Sequence, residues 1–174
     1  AIVLIACAVE VALRLRRVSF EQQTASRSDG DGGPVWRPSR LTWFELPIAW
    51  SGSGRHAETG SQIVLRTNSL GLRGPEPAIP KPPGTIRLLC LGDEAILGLG
   101  LTEEETFPGQ LAIRLQSMTS APIEVINAGL PGACPLTELI LCRQRLLQLA
   151  PDIVIIHLDV TDAVDDARCR PTLR

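Results

Sequence analysis

A chain of 174 residues, 44% of them hydrophobic, is long enough for one domain with a real core plus tails. A formal net charge of −2 and an aromatic content of 3%, with no Tyr, offer neither the basic surface nor the stacking platforms that nucleic acid binding uses. Five cysteines (Cys7, Cys90, Cys134, Cys142, Cys169) form no CxxC pair, no zinc-ligand spacing and no disulfide framework. Cys90 and Cys142 fall in strand and helix patterns and read as core packing.

Residues 1–15 are nearly all apolar, broken only by Glu10 and Arg14, and Arg16 and Arg17 come next. As a helix this stretch reaches about 20 Å, short of the roughly 30 Å hydrocarbon core of a bilayer. Residues 1–18 therefore read as part of a membrane anchor, as a signal-peptide core, or as a buried helix. Arg16 and Arg17 favour a cytoplasmic position for the residues after them. The first residue is Ala, and the chain stops soon after its last strand signal, so the expectation is a fragment of a longer protein. Residues 19–66 read as a linker rich in Gly, Ser, Pro and Arg. Trp36, Trp43 and Trp50 stand seven apart, but Pro38 and Pro47 forbid a continuous helix through them. His56, in a Gly/Ser loop, reads as solvated.

Residues 63–65 give a short strand signal, and 67–76 (Thr-Asn-Ser-Leu-Gly-Leu-Arg-Gly-Pro-Glu) a turn-rich passage. Pro75, Pro77, Pro80, Pro82 and Pro83 then impose an extended path. From Thr85 the pattern becomes regular. Residues 86–91 read as a buried strand and 102–118 as a helix, with Thr102 and Glu105 spaced as a capping box. Pro108 moves the expected start of that helix toward Thr106. Leu111, Ile113, Leu115 and Met118 are its expected inner stripe. A strand at 123–128 comes next, then a helix at 136–150 with Leu139, Leu146 and Leu149 inward and Arg143 and Arg145 outward. Pro151 and Asp152 break it before a strand at 153–158. This alternation predicts an α/β fold, with right-handed crossovers and a parallel sheet between helices.

Parallel strands bring their carboxyl ends to one edge, where ligands bind in such sheets. Those ends read Gly92-Asp93-Glu94, then Asn127-Ala128-Gly129-Leu130-Pro131-Gly132, then Asp159-Val160-Thr161-Asp162. In order and spacing they resemble the blocks of the SGNH (GDSL) hydrolases. The passage at 67–76 resembles the lead-in of membrane-anchored bacterial members. The resemblance covers residues 67–166 and implies a three-layer flavodoxin-like domain over 67–174, apparently cut after its third strand. It also implies ester hydrolysis on acyl lipids or acylated sugars without a cofactor, and an extracytoplasmic place in the cell envelope.

Carried over position by position, the resemblance puts Glu94 where the family has its nucleophilic serine, with Asp93 before it. Gly132 stands at the oxyanion-hole glycine, Thr161 at the asparagine that donates a further hydrogen bond, and Asp162 at the aspartate after it. Asp159 replaces a glycine. The family's Asp-x-x-His block, which supplies the general base, would lie beyond residue 174. His157 reads as a buried strand histidine instead.

The letter at 94 decides the chemistry. Serine attack needs a hydroxyl that a base deprotonates. A carboxylate attacking an acyl ester would give an anhydride, and its charge would sit beside the N–H groups meant for the oxyanion. The expectation is therefore an esterase-like domain with little or no activity. Alternatives are carboxylate-based hydrolysis at Glu94, a glycosidase-like acid pair with Asp93 or Asp159, and cation capture by Asp93, Glu94, Asp159 and Asp162. From a different class come a binding or scaffold protein on the same fold, and a fragment that does not fold alone.

Overall fold

Two short antiparallel pairs precede the parallel sheet, in the stretch expected to be a linker. The structure, a computed structural model, describes residues 37–39 and 42–169, all within one compact unit, Gly33–Arg174. The apolar segment at 1–15 lies outside the described residues. Among those described, no helix is long and apolar enough to cross a membrane.

β1 (Arg37–Ser39) pairs with β2 (Trp43–Glu45), and β3 (Ser51–Arg55) with β4 (Gln62–Arg66). β3 is Ser-Gly-Ser-Gly-Arg and has no apolar alternation to announce it. β4 supplies that alternation, with Ile63 and Leu65 buried on one face. Leu46, just past β2, packs into the same core as Leu89 and Leu97, and Arg145 donates to Glu45 Oε1 at 3.0 Å. His56 is buried rather than solvated. Its Nδ1 accepts from the backbone N–H groups of Glu58 and Thr59, and its Nε2 lies 2.9 Å from Glu105 Oε2. The β3–β4 turn is thereby fastened to the segment ahead of the next long helix.

β5 (Ile86–Gly92), β6 (Ile123–Gly129) and β7 (Ile153–Ile156) form the parallel sheet, in the order β6-β5-β7. The apolar run expected at 86–91 is the central strand, buried from Leu88 through Gly92. The helices are α1 (Glu94–Leu97), α2 (Phe107–Met118), α3 (Pro135–Leu141) and α4 (Asp162–Cys169). α1 and α2 pack on β6, α3 on β5, and α4 on α3. The protein is thus a mixed α/β fold whose first parallel strand lies between the second and third, the flavodoxin-like order.

Two helices depart from expectation. Thr102 N–H and Oγ1 both donate to Glu105 Oε2 at 2.9 Å, but in a turn ahead of the helix. The working cap is Thr106, whose Oγ1 accepts from Gly109 N–H at 3.1 Å, because Pro108 fits only the first turn. The expected stripe of α2 is also incomplete, with Ile113 53% and Met118 80% exposed. α2 covers only an outer strand, so little of its surface meets the core. After α3 the chain passes into a π-helical turn over 142–146 and a 3₁₀ turn over 147–149. Leu141 and Leu146 are both buried, and a five-residue step between core positions suits a π turn better than a 3.6-residue period. Leu149 is buried as expected, whereas Leu139 faces solvent.

Arg87 is fully buried within β5. Its Nε donates to Glu124 Oε2 at 2.5 Å, and its two terminal nitrogens donate to the carbonyls of Leu149 and Ala78. Its backbone N–H donates to Asp152 Oδ2 at 2.8 Å, while Lys81 holds Asp152 Oδ1 at 2.7 Å. Lys81 first, then the Arg87 N–H, keep the Asp152 carboxyl below its ordinary range. One cation so ties the amino ends of β5 and β6 to the close of the α3 segment and to the proline-rich entry. Arg87→Met should lower the unfolding free energy by about 3 kcal/mol, since it strands the Glu124 carboxylate and the buried Leu149 carbonyl. Urea denaturation measures this, and a loss below about 0.5 kcal/mol would show that the network is dispensable.

Candidate active site at the carboxyl ends of the parallel strands

The turn after β5 is built by backbone economy. Asp93 caps α1, with Oδ1 accepting from Ala95 N–H at 2.9 Å, and Gly98 ends this four-residue helix in the left-handed region at φ 71°. α1 reaches β6 only because Gly129 has no side chain: a Cβ there would overlap the backbone of Ile96 and Leu97. Asn127 completes this joint. Its Nδ2 donates to Ile96 O at 2.9 Å, and its Oδ1 accepts from Gly129 N–H at 3.0 Å. Arg73, from the turn-rich passage, is buried on the other side and donates to the carbonyls of Leu97, Gly98 and Leu101. The carbonyls of Ile96, Leu97 and Gly98 at the end of α1 therefore have partners.

Onto this frame the strand ends bring the expected residues. Gly132 N–H donates to Glu94 Oε1 at 3.1 Å, so the first and second blocks meet. Leu130 N–H donates to Gly92 O at 3.0 Å and sets the path of that loop. In the third block, Thr161 Oγ1 and N–H both donate to Asp159 Oδ1, at 2.6 and 2.7 Å, and Asp159 N–H donates to Asp162 Oδ2 at 2.6 Å. The Thr161 hydroxyl proton is thus directed at Asp159 and not toward Gly132. Asp162 is buried. Burial is the main cause that raises its carboxyl above the ordinary range; Asp159 and Asp93 add to this, against the Asp159 N–H and His157.

Two residues absent from the expected set belong here. His157 lies just past β7 rather than inside it, 29% exposed, with Nδ1 3.7 Å from Asp93 Oδ1. Glu138, on α3, is 3% exposed, and neither of its carboxyl oxygens has a hydrogen-bond partner. Burial first, then Asp162 and Asp93, push its carboxyl up to about 8. Its position inside an apolar helix pattern gave no sign of this, because its acidic neighbours come from distant segments. Among the described residues, no group of three or more His, Cys, Asp or Glu is arranged to hold a metal ion. A separate cavity of about 150 Å³, lined by Arg73, Gly74, Glu103, Thr106 and Asn127 among others, has room for a small molecule only.

The fold and this edge define a parallel α/β domain with an acidic site at its topological switch point. No family model and no curated protein matches the chain. Among solved structures it is similar to the esterase AlinE4, described as a member of the SGNH-hydrolase family, and to two mutants of it, each at 26% identity and a TM-score of 0.42. Each match covers 53% of this chain and 51% of the other, so the chain spans about half the length of these structures.

Asn127→Ala should lower the unfolding free energy by roughly 2 kcal/mol, because it leaves the Ile96 carbonyl and the Gly129 N–H buried without partners. Asn127→Asp should cost more, since it turns an acceptor toward two carbonyls. Equal stability of both variants and the parent in urea would show that the joint between α1 and β6 does not rest on this side chain.

Proposed function

We propose that this chain is an SGNH-type domain, related to esterases of acyl lipids or acylated sugars, whose ester site is closed by its own Glu94. The observation that carries this reading is the 3.1 Å hydrogen bond from Gly132 N–H to Glu94 Oε1. An oxyanion hole works by offering N–H groups to a charge that develops only in the transition state. Here the donor at the matching position already serves a side-chain oxygen, and the residue that carries this oxygen stands where the nucleophile would be. The three strand-end blocks, in their order and spacing, support the esterase lineage. The occupied donor supports little or no serine-type hydrolysis.

An acyl-ester or acylated-sugar ligand would enter from the strand-end edge, beside Asp93, Glu94, Gly132, Thr161 and Asp162. The reading extends to location: a domain outside the cytoplasm of a bacterial cell, held to its membrane through residues 1–18. A second reading, a binding or scaffold protein without turnover, draws on the same occupied donor.

Glu94→Ser, made in the full-length protein so that a general base is available, tests the proposal through hydrolysis of p-nitrophenyl acetate and labelling by a fluorophosphonate. The parent should stay at the buffer rate and take no label. Glu94→Ser should take label at residue 94 and release p-nitrophenol at least about tenfold faster than the parent, a small part of the roughly 10⁶ that a complete nucleophile machinery contributes. Hydrolysis or labelling by the parent would overturn the closed-site reading. Silence from both proteins, with both melting cooperatively, would move the binding reading ahead.

A further inference from the structure

The turn that carries Asp93 and Glu94 does not hold itself. α1 is a single turn, closed by Leu97 N–H to Asp93 O at 3.0 Å and Gly98 N–H to Glu94 O at 2.8 Å. A helix this short has no stability alone. Burial of Ile96 and Leu97 keeps it on the sheet, but apolar contact is non-directional and does not orient the turn. Orientation comes from the carbonyls at its end. Asn127 takes Ile96 O from β6. Arg73 takes the next ones: its Nη1 donates to Leu97 O at 2.9 Å and to Gly98 O at 2.5 Å, and its Nη2 to Leu101 O at 2.6 Å. A planar guanidinium presents its donors in a rigid fork, so three acceptors gathered on it are fixed relative to one another. Its charge also stands at the carboxyl end of α1, the end that favours a cation.

Arg73 is itself placed by a segment outside the parallel sheet. The passage at 67–76 folds around Asn68, whose Oδ1 accepts from Leu70 and Leu72 N–H and whose Nδ2 donates to Pro75 O, each at 3.0 Å. Gly74 N–H donates to Arg66 O at 3.1 Å and ties the passage to β4. Arg73 forms antiparallel bridges to Thr67 and to Asn127. The second bridge sets Arg73 beside the residue of β6 that takes Ile96 O. Arg73 and Asn127 thus grip the end of α1 from one base. Glu94 is the first residue of α1, and its bond from Gly132 N–H crosses between two loops. Hydrogen bonds weaken steeply with misalignment, so whatever orients α1 decides whether this one forms.

We propose that Arg73 is a positioning residue of the site: its fork on the carbonyls at the end of α1 sets residue 94 against the Gly132 N–H. The turn-rich passage at 67–76 is then part of the site's machinery. Arg73 touches no reacting group and acts through α1 alone. The inference rests on the closed-site reading for its meaning, since in that reading the Glu94–Gly132 contact is what shuts the site.

The test follows the Gly132 amide by ¹H–¹⁵N NMR in the full-length protein. A charge-assisted bond to a carboxylate draws the amide proton downfield, so the change on Glu94→Ala measures the contact. In an Arg73→Ala background the same Glu94→Ala change should move the Gly132 resonance at least about twofold less. Free guanidinium at millimolar concentration, too dilute to denature, should restore the full response. The space that the side chain vacates adjoins the cavity of about 150 Å³ that Arg73 lines, which gives the ion a way in. Arg73→Lys carries the test should Arg73→Ala fold poorly: it keeps the charge without the fork and should also weaken the response at least about twofold. A purely structural role predicts lower stability in urea with the Gly132 response unchanged. A full response in a folded Arg73 variant, a weakened one that guanidinium leaves unrepaired in Arg73→Ala, or a Gly132 amide that ignores Glu94→Ala in the parent would each overturn the proposal. Ester hydrolysis by the parent would instead overturn the closed-site reading and leave this coupling standing.

Discussion

Everything at the site depends on the burial of β5 between two parallel neighbours. A strand covered on both flanks satisfies its N–H and C=O groups from β6 and β7 together, which fixes all three strands in one direction and one register. Gly92 then stands level with Gly129, and Leu91 level with Ile156. Three separate turns are thus delivered to a single edge. The same constraint explains why so much of the protein serves β5 from below. Arg87 holds its amino end against β6 and the α3 segment, while Asp152 holds the entry to β7 against the Arg87 backbone.

That convergence has an electrostatic consequence. Turns at the carboxyl ends of strands favour short polar residues, and here most of those residues are acids. Each is handled differently. Asp93 caps a helix, Glu94 takes a loop N–H, Asp159 takes the hydroxyl and N–H of Thr161, and Asp162 takes the Asp159 N–H. Backbone N–H groups absorb four carboxyls in this way, local ones for Asp93, Asp159 and Asp162 and one from the loop after β6 for Glu94. Glu138 arrives on a helix side face, where the backbone N–H groups are already used inside the helix, so no donor is left for it.

The legibility of the chain divides along the same line. β5 and β6 could be read because continuous apolar runs bounded by Gly and Asp have few other uses in a domain of this size. Asp93, Glu94, Gly132, Thr161 and Asp162 could be placed because position at a strand end is a sequence property. The hairpins at 37–66 could not, since Ser-Gly-Ser-Gly-Arg becomes a strand only by pairing with Gln62–Arg66. His56 and Glu138 were hidden for a related reason. The partners of His56 include Glu105, far along the chain, and the neighbours of Glu138 are Asp93 and Asp162, so neither environment has a local signature. His157 was misplaced by a strand that ends sooner than its apolar run, at Ile156.

Glu94 and Glu138 are two answers to one problem, a carboxyl group brought to a crowded acidic edge. Glu94 is partly exposed and takes the N–H of Gly132, itself only partly buried. Its interaction is local, and whatever occupies that amide competes with it directly. Glu138 has no such donor, and burial first, then Asp162 and Asp93, disfavour the loss of its proton. A change at Glu94 should therefore act on what the site can bind or attack. The parallel sheet forces both carboxyls into the same small space.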